Sequence, residues 1–188
     1  TNFSAGLAVV QTPAQHQDPN TLGNKVYSFP SNVENEVKTK GWGLSLEYRL
    51  PGNWTIGGNA SNNEVKDNGG LSNYQLAFNT PSFRTNVTLG NRNIAGSGWG
   101  VNAVWRFQEG FVWQSSIVNQ AVNQLQQSYI PQFSNFDLAV SKKVSEIKSI
   151  IKVGGTNLFG PAYSTGWANP MIGSMYYVSI AFDELLNK

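Results

Sequence analysis

The chain has 188 residues, thirteen cations against eleven carboxylates, a net charge of +2 and no cysteine. That balance leaves no basic patch for nucleic acid, and the missing cysteine excludes disulfide frameworks, thiol catalysis and thiolate metal sites. Charged residues make up only 13% of the chain, about half of the roughly 25% usual in soluble domains, while aromatic residues reach 12%, the reverse of a disordered composition.

The opening segment, TNFSAGLAVV, has neither the Met nor the basic n-region of a secretory signal. It reads as a weak strand with Phe3, Ala5, Leu7 and Val9 on one side. The sole histidine, His16, lies in TPAQHQDPN, whose Pro and Asn mark a loop. A multi-His metal centre is therefore excluded, and a Ser-His-Asp triad would depend on this one residue. No run of 18 apolar residues is present, so no transmembrane helix is predicted.

From Trp42 to Leu50 apolar and polar residues alternate without exception: Trp42, Leu44, Leu46, Tyr48 and Leu50 against Gly43, Ser45, Glu47 and Arg49. This is a two-faced strand. After the tight-turn residues Pro51-Gly52-Asn53, Trp54, Ile56, Gly58 and Ala60 alternate with Thr55, Gly57, Asn59 and Ser61. Phe83, Thr85, Val87 and Leu89 oppose Arg84, Asn86, Thr88 and Gly90. One phase runs from Trp99 to Ile117, predicting a single strand of about 19 residues, roughly 60 Å long. Phe136 to Val140, Ile151 to Val153 and Tyr176 to Phe182 add three more. The count is about eight strands and no convincing helix.

Long connections (11–40, 66–82, 118–131, 160–174) alternate with short ones (51–53, 93–98, 143–148). Transmembrane β-barrels show this asymmetry, with short periplasmic turns and long external loops. A soluble sandwich would alternate too. The strands here reach the 9–11 residues needed to span a bilayer. Their polar faces are built from Gly, Ser, Thr and Asn more than from Lys or Glu. Trp42, Trp54, Trp99 and Tyr176 sit near strand ends, where interfacial girdles lie. The reading is an all-β, antiparallel, up-and-down transmembrane barrel in the cell outer membrane. Its apolar positions contact outer-membrane lipid, and Asn59, Ser61, Arg84, Thr88, Asn102, Arg106, Gln114 and Thr156 face the lumen. For Arg84 and Arg106 an ion pair or a contact to a plug competes with a solute-selecting role.

The segment GGTNLFGPAYSTGWANPMIGSMYYVSIAF (Gly154 to Phe182) resembles the last two strands of TonB-dependent outer-membrane receptors, particularly those of Bacteroidota. GWGLSLEYRLPGNWTIGGNAS resembles an adjacent strand pair of that family, and FNTPSFRTNVTLGNRN a segment in which a Pro precedes a basic strand, although Phe83 stands where a His is common. The likeness covers most of Gly41 to Phe182. Tyr176 to Phe182 resembles the signal read by the barrel-assembly machinery, but the chain continues with Asp-Glu-Leu-Leu-Asn-Lys. The resemblance implies import of a scarce nutrient: a siderophore, cobalamin, a glycan or a peptide. It implies a 22-stranded barrel of which residues 1–188 are the C-terminal third, without a plug domain. The implied partners are the rest of the barrel and its plug, TonB indirectly through the plug, and a surface lipoprotein, with no nucleic acid.

The strand count also permits a self-contained eight-stranded barrel with a structural or adhesive role. Such a barrel is filled by its own side chains, whereas the small inward residues here suit a wide lumen. No acidic pair has catalytic spacing, so an enzyme is not expected, nor is a cofactor or metal. In the external loops Tyr129, Tyr163 and Trp167 are candidates for stacking on a ligand, against loop packing or anchoring. Asp18, Asn20, Asn24, Asp67 and Asn68 form no complete cation motif and read as turn-forming residues.

Overall fold

The computed structural model describes residues 4–8, 27–32, 36–67, 78–119 and 124–182. These hold eleven strands: β1 (Ser4–Ala8), β2 (Tyr27–Asn32), β3 (Lys38–Leu50), β4 (Trp54–Asp67), β5 (Phe83–Asn91), β6 (Trp99–Gln108), β7 (Phe111–Asn119), β8 (Gln124–Ile130), β9 (Phe133–Val144), β10 (Ser149–Thr156) and β11 (Met175–Phe182). The helical elements among the described residues are three-residue 3-10 turns at Pro51–Asn53, Ile94–Gly96 and Ser145–Ile147. The predicted all-β class and the three short turns are present as read.

Two compact units emerge: Thr1–Lys40 with Glu64–Asn79 and Trp113–Ser128, and Gly41–Asn63 with Thr80–Val112 and Tyr129–Lys188. In the first, β1 pairs antiparallel with β2, and β7 pairs with β8. Asn79 clamps β7 at one residue, its Nδ2 donating to the Gln114 carbonyl at 3.0 Å and its Oδ1 accepting from Gln114 N at 2.7 Å. Exposed ion pairs join Lys38 to Glu36 and Lys66 to Glu64.

The second unit is built on a seven-stranded sheet of order β11-β10-β9-β6-β5-β4-β3. Every strand lies beside its chain neighbour, with β7 and β8 intervening between β6 and β9. The order is linear, so β3 and β11 are free edges among the described residues. Register carries the alternation of each strand across the sheet: Ile56 opposes Leu89, Val87 opposes Trp105, Val101 opposes Val140, and Val153 opposes Val178. Because side chains alternate with period two, these residues form one continuous apolar face. It stays open: Leu46 is 71% and Val178 70% exposed.

Among the described residues no hydrophobic core backs this sheet. Among the described residues only Ile130 and Ala139 are buried apolar side chains, against four buried polar ones, Asn91, Asn135, Ser149 and Asn157. A soluble sheet shows the opposite balance. Aromatic rings frame the apolar face at both ends. On the side away from the short turns Trp42 meets Phe83 (6.3 Å between centroids), Phe83 meets Phe107 (6.4 Å) and Phe107 meets Trp105 (6.3 Å). On the short-turn side lie Trp54, Trp99 and Phe182, the first or last residues of their strands. Trp99 and Phe107 are eight residues apart on β6, about 26 Å along the strand. Trp42, by contrast, sits inside β3 rather than at its end.

Four expectations need correction. The single strand from Trp99 to Ile117 is broken at Glu109–Gly110. The ladder persists to Glu109, whose N–H reaches the Phe83 carbonyl at 2.9 Å. Pro131, in the gap between β8 and β9, has no N–H to donate, so the pairing lapses there. The long connections 11–40 and 118–131 are not wholly irregular: the first holds β2 and the start of β3, the second the end of β7 and β8. The third, 66–82, begins inside β4, with residues 68–77 outside the described ones. Eleven strands stand where about eight were read because β2, interrupted by Pro30, and the Gln-rich β8 show no apolar face in the sequence and the break at Glu109–Gly110 makes two strands of one. His16, Asp18, Asn20, Asn24 and Asn68 also lie outside the described residues.

Candidate functional site

The other face of the seven-stranded sheet is polar. Ser61 opposes Arg84, Asn59 opposes Asn86, Asn86 opposes Arg106, and Gly90 opposes Asn102. Arg84, Asn102 and Arg106 therefore share one face with Asn59, Ser61 and Thr88. Asp137 opposes Val104 and joins them from β9, and Lys152 joins from β10 through Ser141. Gln114 lies on β7 in the other unit, where its backbone is held by Asn79.

Short polar contacts hold the centre of this face. The Asn59 and Asn86 amides pair reciprocally, each Nδ2 donating to the other Oδ1 at 3.3 and 3.0 Å. Arg84 Nε donates to Ser61 Oγ at 3.1 Å. Arg106 Nη2 makes an ion pair with Asp137 Oδ2. Arg106 opposes Asn135, so it reaches Asp137 diagonally across the β6–β9 ladder. Arg84, Arg106, Asn59, Asn86, Ser61 and Gln108 line one open concavity. Two guanidinium groups against one carboxylate give this hollow a positive surplus, suited to an anionic or hydrogen-bond-accepting group.

Asp137 links that hollow to the connection after β10. Its Oδ1 accepts the backbone N–H of Asn157 at 3.0 Å. Asn157 is 2% exposed and left-handed at φ 51°, a conformation Asn tolerates better than most residues. Its Nδ2 donates to the Pro161 carbonyl at 3.0 Å, its carbonyl accepts Ser174 Oγ at 2.6 Å, and the next N–H, of Leu158, reaches Phe136 O at 2.9 Å. The Asn-Leu-Phe turn is thus fastened at both ends of the 158–174 connection.

The three aromatic candidates fall on two segments, Tyr129 on one and Tyr163 with Trp167 on the other. Tyr129 is on strand β8 and not in a loop, 64% exposed, with Gly110 leaving the space its hydroxyl occupies. Tyr163 bridges to Ile172 and packs on Phe133 at 4.3 Å between centroids. Trp167 stands in the irregular stretch, 37% exposed. Alternation with Phe136 and Leu138 puts Asp137 on the polar side of its strand but does not pair it with Arg106. Alternation assigns a residue to a face, and only register says which residues meet.

No protein-family model matches the chain, and no curated protein matches it in sequence. Solved structures do. A structure of P. aeruginosa FpvA bound to a heterologous pyoverdine with iron matches with a TM-score of 0.61 at 14% identity, over 94% of this chain and 22% of that one. An FpvAI–pyocin S2 complex matches with a TM-score of 0.57 at 15% identity, over 88% and 20%. The chain spans about a fifth of the length of these receptors. Its fold is that of the β-barrel wall of TonB-dependent receptors.

Proposed function

We propose that the chain is a wall segment of a TonB-dependent outer-membrane transporter that imports a scarce nutrient, with its apolar face in lipid and its polar face, carrying Arg84, Asn102 and Arg106, in the lumen. The observation that carries this reading is a seven-stranded meander with no core and an apolar face bounded by two aromatic rows. The roughly 26 Å from Trp99 to Phe107 along the strand projects to about 20 Å across the bilayer at a tilt of about 40°, near the height of the ~25 Å apolar band of such barrels. The short turns then face the periplasm, and the connection 157–174 lies outside. The two edges left free among the described residues support a segment of a larger barrel over a self-contained one, because a membrane leaves no backbone group unpaired.

On this reading the rest of the barrel and a plug complete the wall, and TonB acts through the plug. A surface lipoprotein is a further partner that the family resemblance brings, as is the Bacteroidota character of the closing segment. Siderophore, cobalamin, glycan and peptide remain the substrate classes, and the iron–pyoverdine complex of FpvA favours the first. Tyr163 and Trp167 are the stacking candidates outside, and Gln114 is a lumen candidate on β7.

The test is growth on limiting nutrients supplied as ferric siderophore, cobalamin, glycan or peptide. Cells lacking the full-length gene and cells lacking TonB should lose the same nutrient. A protein found in the outer membrane whose deletion affects no nutrient would overturn the transporter reading in favour of a structural or adhesive barrel.

A further inference from the structure

The short-turn end of the sheet is built differently from the opposite end. Three tight turns stand side by side, stitched together by backbone and side-chain bonds. Asn91 Nδ2 donates to Gly52 O at 2.8 Å, Gly98 N to Asn93 Oδ1 at 2.8 Å, and Lys143 N to Gly98 O at 2.8 Å. Among the described residues this end carries Arg49, Arg92, Lys142, Lys143 and Lys148 against Glu47 and Glu146, a surplus of three cations. At the opposite end of the same unit Arg84 and Arg106 are balanced by Glu109 and Asp137.

Among the described strand residues of this unit, Lys142 is the charged side chain that register places on the apolar face. It opposes Trp99 at the border of the apolar band. Its ammonium lies 5.1 Å from the Trp99 ring centroid and donates to the Ser97 carbonyl at 2.8 Å. An ammonium has three donors. One is spent on Ser97, and the ring holds the group over its face, so the others are left for an acceptor beside the strand. Immediately along the same face are Val101 and Val140, the latter 40% exposed. A held cation directly above an open aliphatic strip matches an amphiphile with a negative head and apolar chains.

We propose that this end binds an anionic phospholipid, its phosphate on Lys142 and its acyl chains along β6 and β9. The proposal rests on the lipid-facing orientation given above. A free phosphate would meet the cation but have no use for the aliphatic strip.

Native mass spectrometry of the full-length protein in detergent, offered phosphatidylglycerol and phosphatidylcholine, tests it. A surface cation favours an anionic lipid by about fivefold. That preference should vanish in Lys142→Gln, persist in Lys142→Arg, and fall in Trp99→Leu, which leaves the ammonium without its ring. Equal preference in wild type, Lys142→Gln and Trp99→Leu overturns the site. So does displacement of phosphatidylglycerol by millimolar inorganic phosphate, which marks a free-anion site. Absence of heat-modifiable gel mobility in the wild type would instead sink the barrel reading itself. Heat-modifiable protein without lipid preference sinks only the headgroup site.

Discussion

The two faces of the seven-stranded sheet are made by the same backbone and differ in almost everything else. On one, among the described strand residues of the second unit, register places a single charged side chain, Lys142, at the border. On the other stand Glu47, Arg49, Arg84, Arg106, Asp137, Lys143 and Lys152, five cations against two carboxylates. Among the described residues of this unit the apolar face stays exposed, as at Leu46 and Val178. Stability therefore comes from the ladder of backbone hydrogen bonds and from whatever solvates each face. An open aliphatic face of this extent is an aggregation hazard in water and a requirement in lipid. On the proposed reading the apolar face is solvated by lipid and the polar face by polar groups.

The sharpest break of that contrast is a charge moved one residue along β5. Val87 lies midway along the apolar face, 40% exposed, and Thr88 lies on the polar face opposite Gly57 and Val104. An arginine on the lipid side near the midplane costs about 2–4 kcal/mol. Val87→Arg should lower the unfolding free energy of the full-length protein in vesicles by that amount. Thr88→Arg should change it by about 0.5 kcal/mol or less. Equal effects in chemical unfolding would mean that the two faces see the same solvent.

The contrast was legible in the sequence wherever one face was aliphatic. Trp42 to Leu50, Phe83 to Leu89 and Tyr176 to Phe182 announce themselves by strict alternation, and each is a strand. β8 was illegible because Gln124, Gln126 and Gln127 fall on both of its sides, and β2 because Pro30 interrupts a run in which only Tyr27 and Phe29 alternate. The break at Gly110 escaped notice because phase is preserved across it. Its cause lies in Pro131, far along the chain and brought near only by the β6–β9 pairing. The same limit applied to the site. Alternation placed Arg84, Asn102 and Arg106 on one side, but nothing in the sequence said that Arg106 reaches Asp137 or that Asp137 holds Asn157.

That linkage gives a smaller and more local test. Asp137 has a side chain 18% exposed, and it pairs with Arg106 while accepting the Asn157 N–H. Arg106 is 45% exposed, so the ion pair itself contributes little, within the roughly 0–1 kcal/mol usual for exposed pairs. The buried Asn157 N–H matters more, because a donor left without an acceptor costs about 1–3 kcal/mol. Asp137→Ala should therefore destabilise by about 1–3 kcal/mol, and Asp137→Asn, which keeps an oxygen for that N–H, by about 1 kcal/mol or less. Proteolysis within 158–174 should accelerate in the alanine variant before global unfolding does. Equal losses in both variants would assign the effect to the ion pair instead.

The smallest effect on stability should come from Arg84, and for that reason it is informative about the polar face. Arg84 is exposed and its hydrogen bond is to a neutral hydroxyl, Ser61 Oγ at 3.1 Å. Removing it leaves no buried group unpaired, so Arg84→Gln should shift unfolding by about 0.5 kcal/mol or less. If the surplus charge in the hollow serves what passes through or fills the lumen, the same variant should still lower nutrient uptake by the full-length protein severalfold. Stability and function would then separate at Arg84 while moving together at Asp137. A loss of stability in Arg84→Gln as large as that of Asp137→Ala would make the guanidinium a structural tie, and the hollow would lose its claim to a ligand.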